Sequence, residues 1–510
     1  MSVELGASRL LAPYFSSSQI VWTIIIGTIM IAMALGNVYG GRSADKKPDP
    51  SILYRRILFA GVWIALIPVV GKYVIVAVSG LLIVAVDTNF LVIAAFLSCL
   101  VLFVWPLLLL GTVTPTLAKI TTQSLDESGR VVGQLGAANT IGSILGTFLP
   151  TFVTIPTVGT AVTFLLFGGI LLSLSLIYFI STRTGRRTVT AACLLFALSL
   201  AFSRSPSFAF WEKDRLLYEG ESIYNYLQVR DTPEARIFST NVLFGVQSIM
   251  MKDNGLTGMF YDYQLAAPAA LSAQTDAPRI LILGNGTGTF AGQCRRYFPA
   301  ASLEAVEIDG KITELAHTYF SYPADIPTHT FDGRAFLAAN DEKYDVIAID
   351  AYQDITIPFQ MSSVEFFSLV RDHLTDNGIM VVNMNMHSDA PGSINEALLD
   401  TIGAVFDNPV TIEVPNTTNR EVYAARDGSD LSVRLADAPQ RIADPALRAL
   451  IAEIRSKLTH PTPGACILTD DRAPVELLGM RAIDGLISEE LSYYRTVLRR
   501  EGVSGLLAQL

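Results

Sequence analysis

The chain changes character near residue 203. Before this point, long apolar runs follow one another, separated by short polar or glycine-rich segments. They span residues 20–39, 57–86, 90–110, 131–155, 161–180 and 189–202. A run of about 20 apolar residues can cross a membrane as a helix, and a soluble domain hardly contains six such runs in succession. The pattern predicts an integral membrane domain of about six spans over residues 1–203.

After residue 203 the pattern becomes that of a globular protein. Residues 204–216 are expected to form a linker. Residues 217–275 are expected to form a small antiparallel β subdomain, because short stretches alternate apolar and polar residues with a period of two. The predicted elements are strands at 222–229, 235–239 and 242–251, and a helix at 261–271.

From residue 276 to residue 510, short apolar strands alternate with amphipathic helices. Strands are predicted at 303–307, 328–331, 346–350 and 378–383, and helices at 310–319, 334–339, 363–373 and 488–510. Such alternation is typical of a doubly wound α/β domain of the Rossmann type. The predicted fold class is therefore a multi-span helical membrane domain, followed by a small antiparallel β subdomain and a Rossmann-like doubly wound sheet.

A glycine-rich turn follows the first strand of this α/β domain. The turn reads G-N-G-T-G and places glycine at Gly284, Gly286 and Gly288. Glycines let the backbone approach a ligand closely, and Glu307, at the end of the next strand, is placed to bind ribose hydroxyls. A dinucleotide fingerprint needs glycine where this chain has Thr289, so the turn favours a nucleoside of the S-adenosylmethionine (SAM) type over NAD. A tight turn without a ligand is the alternative.

Three carboxylates follow successive predicted strands, namely Glu307, Asp332 and Asp350. The carboxyl ends of parallel strands face the ligand crevice of a doubly wound sheet. Each carboxylate taken singly could instead cap a helix, as Asp309 and Asp332 could. Their occurrence at successive strand ends favours a common site.

Composition narrows the classes of ligand. The formal net charge is -10, with 37 Lys and Arg against 47 Asp and Glu, so a nucleic-acid partner is not expected. Acidic character suits cationic substrates, or simply a soluble acidic surface. The four cysteines and five histidines lack the spacing of metal ligands, and no metal is expected.

With these residues in place, the chain resembles the spermidine synthase-like polyamine aminopropyltransferases, in a bacterial form fused to an N-terminal multi-span membrane domain. The resemblance covers most of the chain. It rests on S-R-L-L-A-P-Y-F-S-S-S at 8–18, G-N-V-Y-G-G-R-S-A-D at 36–45, G-A-A-N-T-I-G-S-I-L-G at 136–146, E-S-I-Y at 221–224, F-G-V-Q-S at 244–248, Y-D-Y-Q-L-A-A-P at 261–268, V-E-I-D at 306–309, D-G-R at 332–334 and D-A-Y at 350–352.

The resemblance implies roles for individual residues. Glu307 would bind the ribose hydroxyls and Asp332 the adenine amino group. Gln247 and Tyr261 would line the cleft, and Asp350 would be the carboxylate nearest the reacting amine. A carboxylate there could both orient an ammonium group and accept its proton.

The amine side of the expected site departs from the family pattern. The family turn typically has aspartate where this chain has Thr287. The family's Y-H-E becomes Y-D-Y, which introduces Asp262, and its D-x-x-D ends in Gln353, with Asp354 one place late. Asp262, Gln353 and Asp354 are thus expected, with Tyr261, on the substrate side. Asp262 or Asp354 is the hypothetical replacement for the missing acid.

The resemblance implies transfer of an aminopropyl group from decarboxylated SAM, as co-substrate, to an amine such as putrescine. The altered amine positions and the attached spans leave open a SAM-dependent methyltransferase that acts on a lipid or membrane-embedded acceptor. A catalytically inactive membrane scaffold is a third reading. The expected partners are a small-molecule amine or a membrane-embedded acceptor, and the lipid bilayer; homo-oligomerisation stays open.

The protein is expected in the cell (inner) membrane. Basic residues lie in two loops between the apolar runs, which the positive-inside rule assigns to the cytoplasm. They are Arg42, Lys46, Lys47, Arg55, Arg56, Arg183, Arg186 and Arg187. Six full spans would then place the remainder of the chain outside, whereas SAM is made in the cytosol. We therefore expect a cytosolic catalytic domain, with residues 189–202 in the interface or residues 57–86 folded as a hairpin.

Overall fold

The structure is a computed structural model. It describes residues 1–15, 18–122, 124, 126, 128–203, 208, 214–242, 246–271, 275, 277–352, 357–385, 388, 390–462 and 464–509. In these ranges the first part of the chain is helical, and the second combines a four-stranded sheet with a seven-stranded sheet.

The helical part consists of long helices that pack side by side. Their bounds are α1 Ser2–Phe15, α2 Gln19–Lys46, α3 Pro50–Ala85, α4 Phe90–Gly111, α5 Val113–Thr121, α6 Ser128–Leu149, α7 Ile155–Ser181 and α8 Arg186–Phe202, with a π-helix, Pro150–Thr154, between α6 and α7. By length and composition, four stretches of the described chain are long and apolar enough to cross a membrane. They are Gln19–Lys46, Pro50–Ile83, Phe90–Thr121 and Ser128–Ser181.

These helices refine the expectation of six spans. Two of the predicted runs fall within Ser128–Ser181, where the chain bends at Gly159, whose φ is 79°. The last run forms α8, which has 17 residues. Because α3 continues as one helix of 36 residues through Pro68, the hairpin alternative for residues 57–86 is wrong. The number of membrane crossings stays a prediction.

Most basic residues of the helical part lie at one end, which we call the basic end. Here Arg56 donates to the Ser43 hydroxyl at 2.7 Å, and Lys119 pairs with Asp45 at 2.9 Å. The Ser51 and Tyr178 hydroxyls, 2.9 Å apart, bring the start of α3 and the end of α7 to this same end.

The opposite end, which we call the sheet end, contacts the C-terminal part. The Phe90 amide at the start of α4 donates to Asp484 at 3.1 Å, and the Arg495 side chain donates to the Ile83 carbonyl at 2.6 Å. The hydroxyl of Thr160, near the start of α7, donates to Glu221 at 2.6 Å. Most basic residues of the helices therefore lie away from the sheets; Arg9 of α1 is an exception and donates to the Ser222 carbonyl at 3.2 Å.

The small antiparallel subdomain is confirmed. Its strands, in order across the sheet, are β1 Arg215–Glu221, β2 Tyr226–Asp231, β3 Ala235–Ser239 and β4 Ser248–Met251. The strand predicted at 222–229 is interrupted by a turn, because the Ser222 hydroxyl accepts from the amides of Tyr224 and Asn225 at 3.0 and 2.9 Å. β1 also begins within the predicted linker.

The doubly wound sheet is confirmed as well. Its strands are β5 Arg279–Leu283, β6 Ser302–Glu307, β7 Thr328–Thr330, β8 Tyr344–Ile349, β9 Leu374–Met384, β10 Val410–Glu413 and β11 Arg420–Ala425. They lie in the order β10-β11-β9-β8-β5-β6-β7, with β5 to β9 parallel and with β11 antiparallel to both of its neighbours, β9 and β10. β5 is apolar throughout its centre because both its faces are covered, and Ile280, Leu281 and Leu283 are fully buried.

Helices cover both faces of this sheet. They are α9 Phe260–Gln264, α10 Ala266–Ala269, α11 Thr289–Tyr297, α12 Gly310–Tyr319, α13 Gly333–Ala338, α14 Val364–Asp372, α15 Ile394–Gly403, α16 Leu431–Arg434, α17 Ala438–Arg441, α18 Pro445–Lys457 and α19 Val475–Gln509. α19 starts well before the predicted residue 488. Its residues Met480, Ile483 and Leu491 share one apolar core with α1 to α4, so this helix joins the two parts of the chain.

Candidate active site

A cavity of about 250 Å³ opens at the carboxyl ends of β5, β6 and β8. In the doubly wound sheet the strand order reverses between β5 and β8, which is where such folds bind ligands. The small sheet closes the opposite wall with Tyr224, Asn225 and Gln247. The cavity therefore lies between the two sheets.

The glycine-rich turn forms the floor of this cavity. Gly284 and Gly286 line it and have φ values of +86° and +53°. A Cβ atom at Gly284 would lie 2.4 Å from the carbonyl oxygen of Asp350, so the backbone approach there requires glycine. Gly288 lines a neighbouring groove instead, and a Cβ atom there would meet the Tyr322 ring at 2.1 Å. Its role is close packing at the start of α11.

Glu307 ends β6 with its carboxylate at the cavity. It accepts hydrogen bonds from the Gly286 amide at 2.8 Å and from the Asp309 amide at 3.1 Å. Burial raises the pKa of Glu307 to about 7, and these two amide hydrogen bonds oppose the rise. The turn and the acid are thus one unit, suited to hold vicinal hydroxyls.

Asp332 has two roles. Its carboxylate caps α13 by accepting from the Ala335 amide at 2.8 Å, and the residue also lines the cavity. Helix capping and ligand contact therefore do not exclude each other at this position.

Asp350 follows β8 in the middle of the cavity wall. Its carboxylate accepts from the Asn383 side chain at 2.8 Å. Burial raises the pKa of Asp350 to about 7; the Asn383 hydrogen bond lowers it, and the charge of Glu307 raises it. Near neutral pH this carboxylate can take up and release a proton, as a general base must.

Gln247 and Tyr261 both line the cavity, and the Tyr261 hydroxyl donates to the Gln247 carbonyl at 2.6 Å. Burial raises the pKa of Tyr261 well above its ordinary value, with Asp350 adding to the rise. The phenol therefore stays neutral beside Asp350.

The expectation that Asp262 faces the substrate is not supported. Its buried carboxylate accepts from the Thr257 hydroxyl at 2.9 Å, the Gly258 amide at 2.6 Å and the Gln293 side chain, and it is not among the cavity-lining residues. Asp262 is therefore used to fix a loop. Gln353 and Asp354 lie outside the described residues.

Thr287 is likewise turned from the cavity. Its amide donates to the Ser248 hydroxyl at 3.0 Å, and the residue lines the neighbouring groove with Gly288. It supplies no acid to the site.

Two groups at the site are missed by the sequence reasoning. Asn383 lies near the end of β9 and holds Asp350, and its position at a strand end is a signal that could have identified it. Ser222 donates to Asp309 at 2.5 Å and so ties the turn after β1 to the segment that follows Glu307. No local sequence pattern indicates that contact.

The charge of the cavity lining is one-sided. Among the described residues that line it are Glu307, Asp332 and Asp350, but no Lys, Arg or His. Such a site favours cationic ligands. The described residues also contain no cluster of three or more side chains able to hold a metal ion.

Fold and cavity define a protein of the doubly wound α/β class with an acidic cavity at the carboxyl ends of its strands. The profile of the Spermine/spermidine synthase domain matches residues 260–420. A probable polyamine aminopropyl transferase of Bifidobacterium longum is 53% identical over 348 residues, which are 65% of this chain and 77% of that protein. A polyamine aminopropyltransferase of Vibrio vulnificus is 28% identical over 52% of this chain and 91% of its own length. The chain belongs to the polyamine aminopropyltransferase family, whose members are transferases.

Among solved structures, spermidine synthase from Thermotoga maritima is similar at 17% identity. The match covers 55% of this chain and 88% of that chain, with a TM-score of 0.36.

Proposed function

We propose that this protein is a membrane-embedded aminopropyltransferase that moves the aminopropyl group of decarboxylated SAM to a small cationic amine such as putrescine. The observation that carries the proposal is the acidic cavity lining without a Lys, Arg or His among its described residues. Decarboxylated SAM and a protonated amine are both cations. SAM itself would bring a carboxylate next to Asp350, where like charges repel.

Residues at the ends of successive strands would bind different parts of the two substrates. Glu307 and the Gly284–Gly286 backbone would hold the ribose, and Asp332 would face the adenine amino group. Asp350, in the next wall segment, would face the acceptor nitrogen. Tyr261 would close the cavity wall beside Asp350.

The chemical step is a displacement at carbon. The lone pair of the acceptor nitrogen forms a bond to the propyl carbon attached to the sulfonium. The carbon–sulfur bond breaks, and its electron pair neutralises the sulfur, giving 5′-methylthioadenosine. The proton released from the acceptor nitrogen goes to Asp350. An alkylammonium has a pKa near 10, so a desolvated carboxylate with a raised pKa is a better match for this proton than an ordinary aspartate.

Calorimetric titration with each donor tests the proposal. Decarboxylated SAM should bind at least about tenfold more tightly than SAM, because only SAM must place a carboxylate in the acidic cavity. Glu307→Ala should weaken the binding of both donors, since each has the same ribose. Tight binding of SAM alone would overturn the proposal and favour methyl transfer.

The attachment to a membrane is part of the proposal. It is supported by the four stretches of suitable length and composition, and by large apolar side chains that stay exposed along them. Phe152 and Ile177, for example, are 70% and 67% exposed. A lipid bilayer would cover these apolar surfaces, so they would not be exposed to water.

The orientation we propose differs from the cytosolic expectation. The positive-inside rule assigns the basic end to the cytoplasm. The residues near it are Arg42, Lys46, Lys47, Arg55, Arg56, Lys119, Arg130, Arg183, Arg186 and Arg187. Connections 86–89 and 150–158 at the sheet end contain no Lys or Arg. The basic residues on this side are fewer: Arg9 of α1, which donates to the Ser222 carbonyl, and Arg204 and Lys213 in the segment between α8 and β1. The rule therefore supports an active site on the outer side, and the donor, made in the cytosol, would have to cross the membrane.

Cys466 reports the orientation, because it is exposed in the sheet-containing part, whereas Cys99 and Cys294 are buried and Cys193 of α8 is partly buried. A membrane-impermeant thiol reagent should label it in intact cells, and Cys466→Ser should abolish the signal. Lys47→Cys in the Cys466→Ser background should label only after permeabilisation. Labelling of Cys466 that also requires permeabilisation would restore the cytosolic orientation.

A further inference from the structure

Glu421 is a buried carboxylate that the chemistry described so far does not use. It lies on β11 and has no exposed surface. Neither carboxylate oxygen has a hydrogen-bond partner in the described part of the protein. A buried acid without a partner is costly, so its presence calls for a reason.

The strand register places Glu421 on the active-site side of the sheet. It lies directly opposite Asn383 of β9 in the antiparallel ladder, so the two side chains project from the same face. The Asn383 side chain on that face donates to Asp350. Glu421 is therefore next to the group that holds Asp350.

Three acids thus follow one another across the sheet. Glu307 is on β6, Asp350 follows β8 and Glu421 is on β11, with β5 between the first two and β9 between the last two. Neighbouring strands are about 4.8 Å apart, so Glu421 lies about two strand spacings beyond Asp350, on the side away from the ribose-binding Glu307.

The surroundings of Glu421 are acidic or neutral. Its charge interacts with Asp350 and with the phenols of Tyr261, Tyr352 and Tyr423, and no Lys, Arg or His of the described residues offsets it. Burial raises the pKa of Glu421 well above its ordinary value, Asp350 adds to the rise, and the Gln264 amide opposes it weakly. Burial and these neighbours thus favour the protonated form of Glu421.

Gln264 separates Glu421 from the cavity. It lines the cavity and is itself buried, and its amide nitrogen has no hydrogen-bond partner in the described residues. Gln264 thus lies between the cavity and Glu421, and a ligand that reaches Glu421 from the cavity has to displace this side chain.

We propose that Glu421 binds the second ammonium group of a diamine acceptor whose first nitrogen reacts beside Asp350. This deepens the proposed aminopropyl transfer and rests on it. The position supplies the acid that neither Thr287 nor Asp262 provides. The acceptor class is a linear amine with two cationic nitrogens, and the second cation compensates the buried carboxylate.

Competition between two acceptors of equal length tests the proposal. The wild-type protein should prefer 1,4-diaminobutane to 1-aminobutane in kcat/KM. Glu421→Gln, which keeps the shape but removes the charge, should lower kcat/KM for the diamine about 10- to 100-fold, mainly through KM, and lower that for the monoamine much less. Glu413→Gln, on the neighbouring strand with an exposed side chain, is the matched control and should leave the preference unchanged. Equal losses for both amines would overturn the proposal.

A binding measurement separates this proposal from the proposed transfer. Calorimetry with 1,4-diaminobutane near pH 7, in buffers of different ionisation enthalpy, counts released protons. Wild type should release about one proton more than Glu421→Gln, because the neutral acid must ionise to pair with the ammonium. If the diamine binds in this way but no donor reacts, the transfer fails and the Glu421 site stands. Identical proton release from the two proteins would refute the Glu421 site whatever the turnover.

Discussion

Replacing Asn383 with leucine should raise the pKa of Asp350 and shift the pH dependence of the reaction. The Asn383 side chain donates to Asp350 at 2.8 Å, and this bond opposes the rise in pKa that burial causes. Leucine has a similar shape but no donor. The ionised form of Asp350 then loses stabilisation, and the proton is held more tightly.

The magnitude follows from the strength of one hydrogen bond to a charged group. Such a bond contributes about 1.5–3 kcal/mol, and one pKa unit corresponds to about 1.4 kcal/mol, so the pKa should rise by about 1–2 units. Starting from about 7, the ionised fraction at pH 7 falls from about one half to about 1–10%. kcat/KM at pH 7 should therefore drop about 5- to 50-fold and recover at higher pH.

The assay is kcat/KM for the amine against pH, read by the release of 5′-methylthioadenosine. The acceptor titrates identically in every variant, so a shift between variants belongs to the enzyme. Asn419→Ala is the control, since Asn419 donates to the side-chain oxygen Oδ1 of Asn383 at 2.9 Å, and not to Asp350. Asn419→Ala should leave the acidic limb of the kcat/KM–pH profile at the same pH as in the wild type. An acidic limb that stays in place in Asn383→Leu would refute the assignment of Asp350 as the base.

Three further predictions concern the turn, the base and the contact between the two parts of the chain. Gly284→Ala should abolish nucleoside binding, because its Cβ would lie 2.4 Å from a carbonyl oxygen, whereas Gly292→Ala, which meets nothing within 4 Å, should leave the Kd unchanged. Asp350→Asn should raise the apparent Tm more at pH 8 than at pH 5. The pKa of Asp350 in the folded protein is raised to about 7, so the wild-type carboxyl group lowers the stability increasingly as pH rises from about 4 to about 7. Thr160→Val should weaken nucleoside binding, measured by calorimetry, since it removes the 2.6 Å bond to Glu221 that holds the turn beside the cavity.

Each of these has an outcome that would contradict it. Unchanged nucleoside affinity in Gly284→Ala would show that nucleoside binding does not require the close backbone approach at Gly284. A Tm difference independent of pH would mean that Asp350 titrates normally. Thr157→Val is the comparison for Thr160, since its hydroxyl bonds only to backbone carbonyls of the preceding turn. Equal effects of the two valine variants would deny the contact any special role.

The sequence predicts well that Glu307 and Asp350 line one cavity, for a physical reason. Residues that end parallel strands fall on one edge of the sheet, so Glu307 and Asp350 come together as soon as their strands are recognised. The glycine-rich turn is also predictable from the sequence, because glycine is the residue that readily adopts the positive φ angles found there.

The surroundings of the other carboxylates, Asp262 and Glu421, are harder to predict, because they depend on partners that are distant in the chain. The carboxylate of Asp262 accepts hydrogen bonds from the Gly258 amide and the Gln293 side chain, and no pattern in the sequence connects these groups. Glu421 comes from an antiparallel strand, whose register against Asn383 is set by tertiary packing rather than by local sequence.

The link between the two parts is also not evident from the apolar pattern. α19 lacks a continuous apolar run, yet Met480, Ile483 and Leu491 pack among the N-terminal helices. A helix with one apolar stripe is recognised as a partner only once its neighbour is known.

Product analysis tests the central claim most directly. The full-length protein, purified in detergent, is incubated with 1,4-diaminobutane, a lipid extract and either decarboxylated SAM or SAM, and all products are quantified by mass spectrometry. We predict that decarboxylated SAM gives the amine enlarged by one aminopropyl group together with an equal amount of 5′-methylthioadenosine, and that SAM gives no product. Methylated amine or lipid formed from SAM, with decarboxylated SAM left unconsumed, would contradict the account.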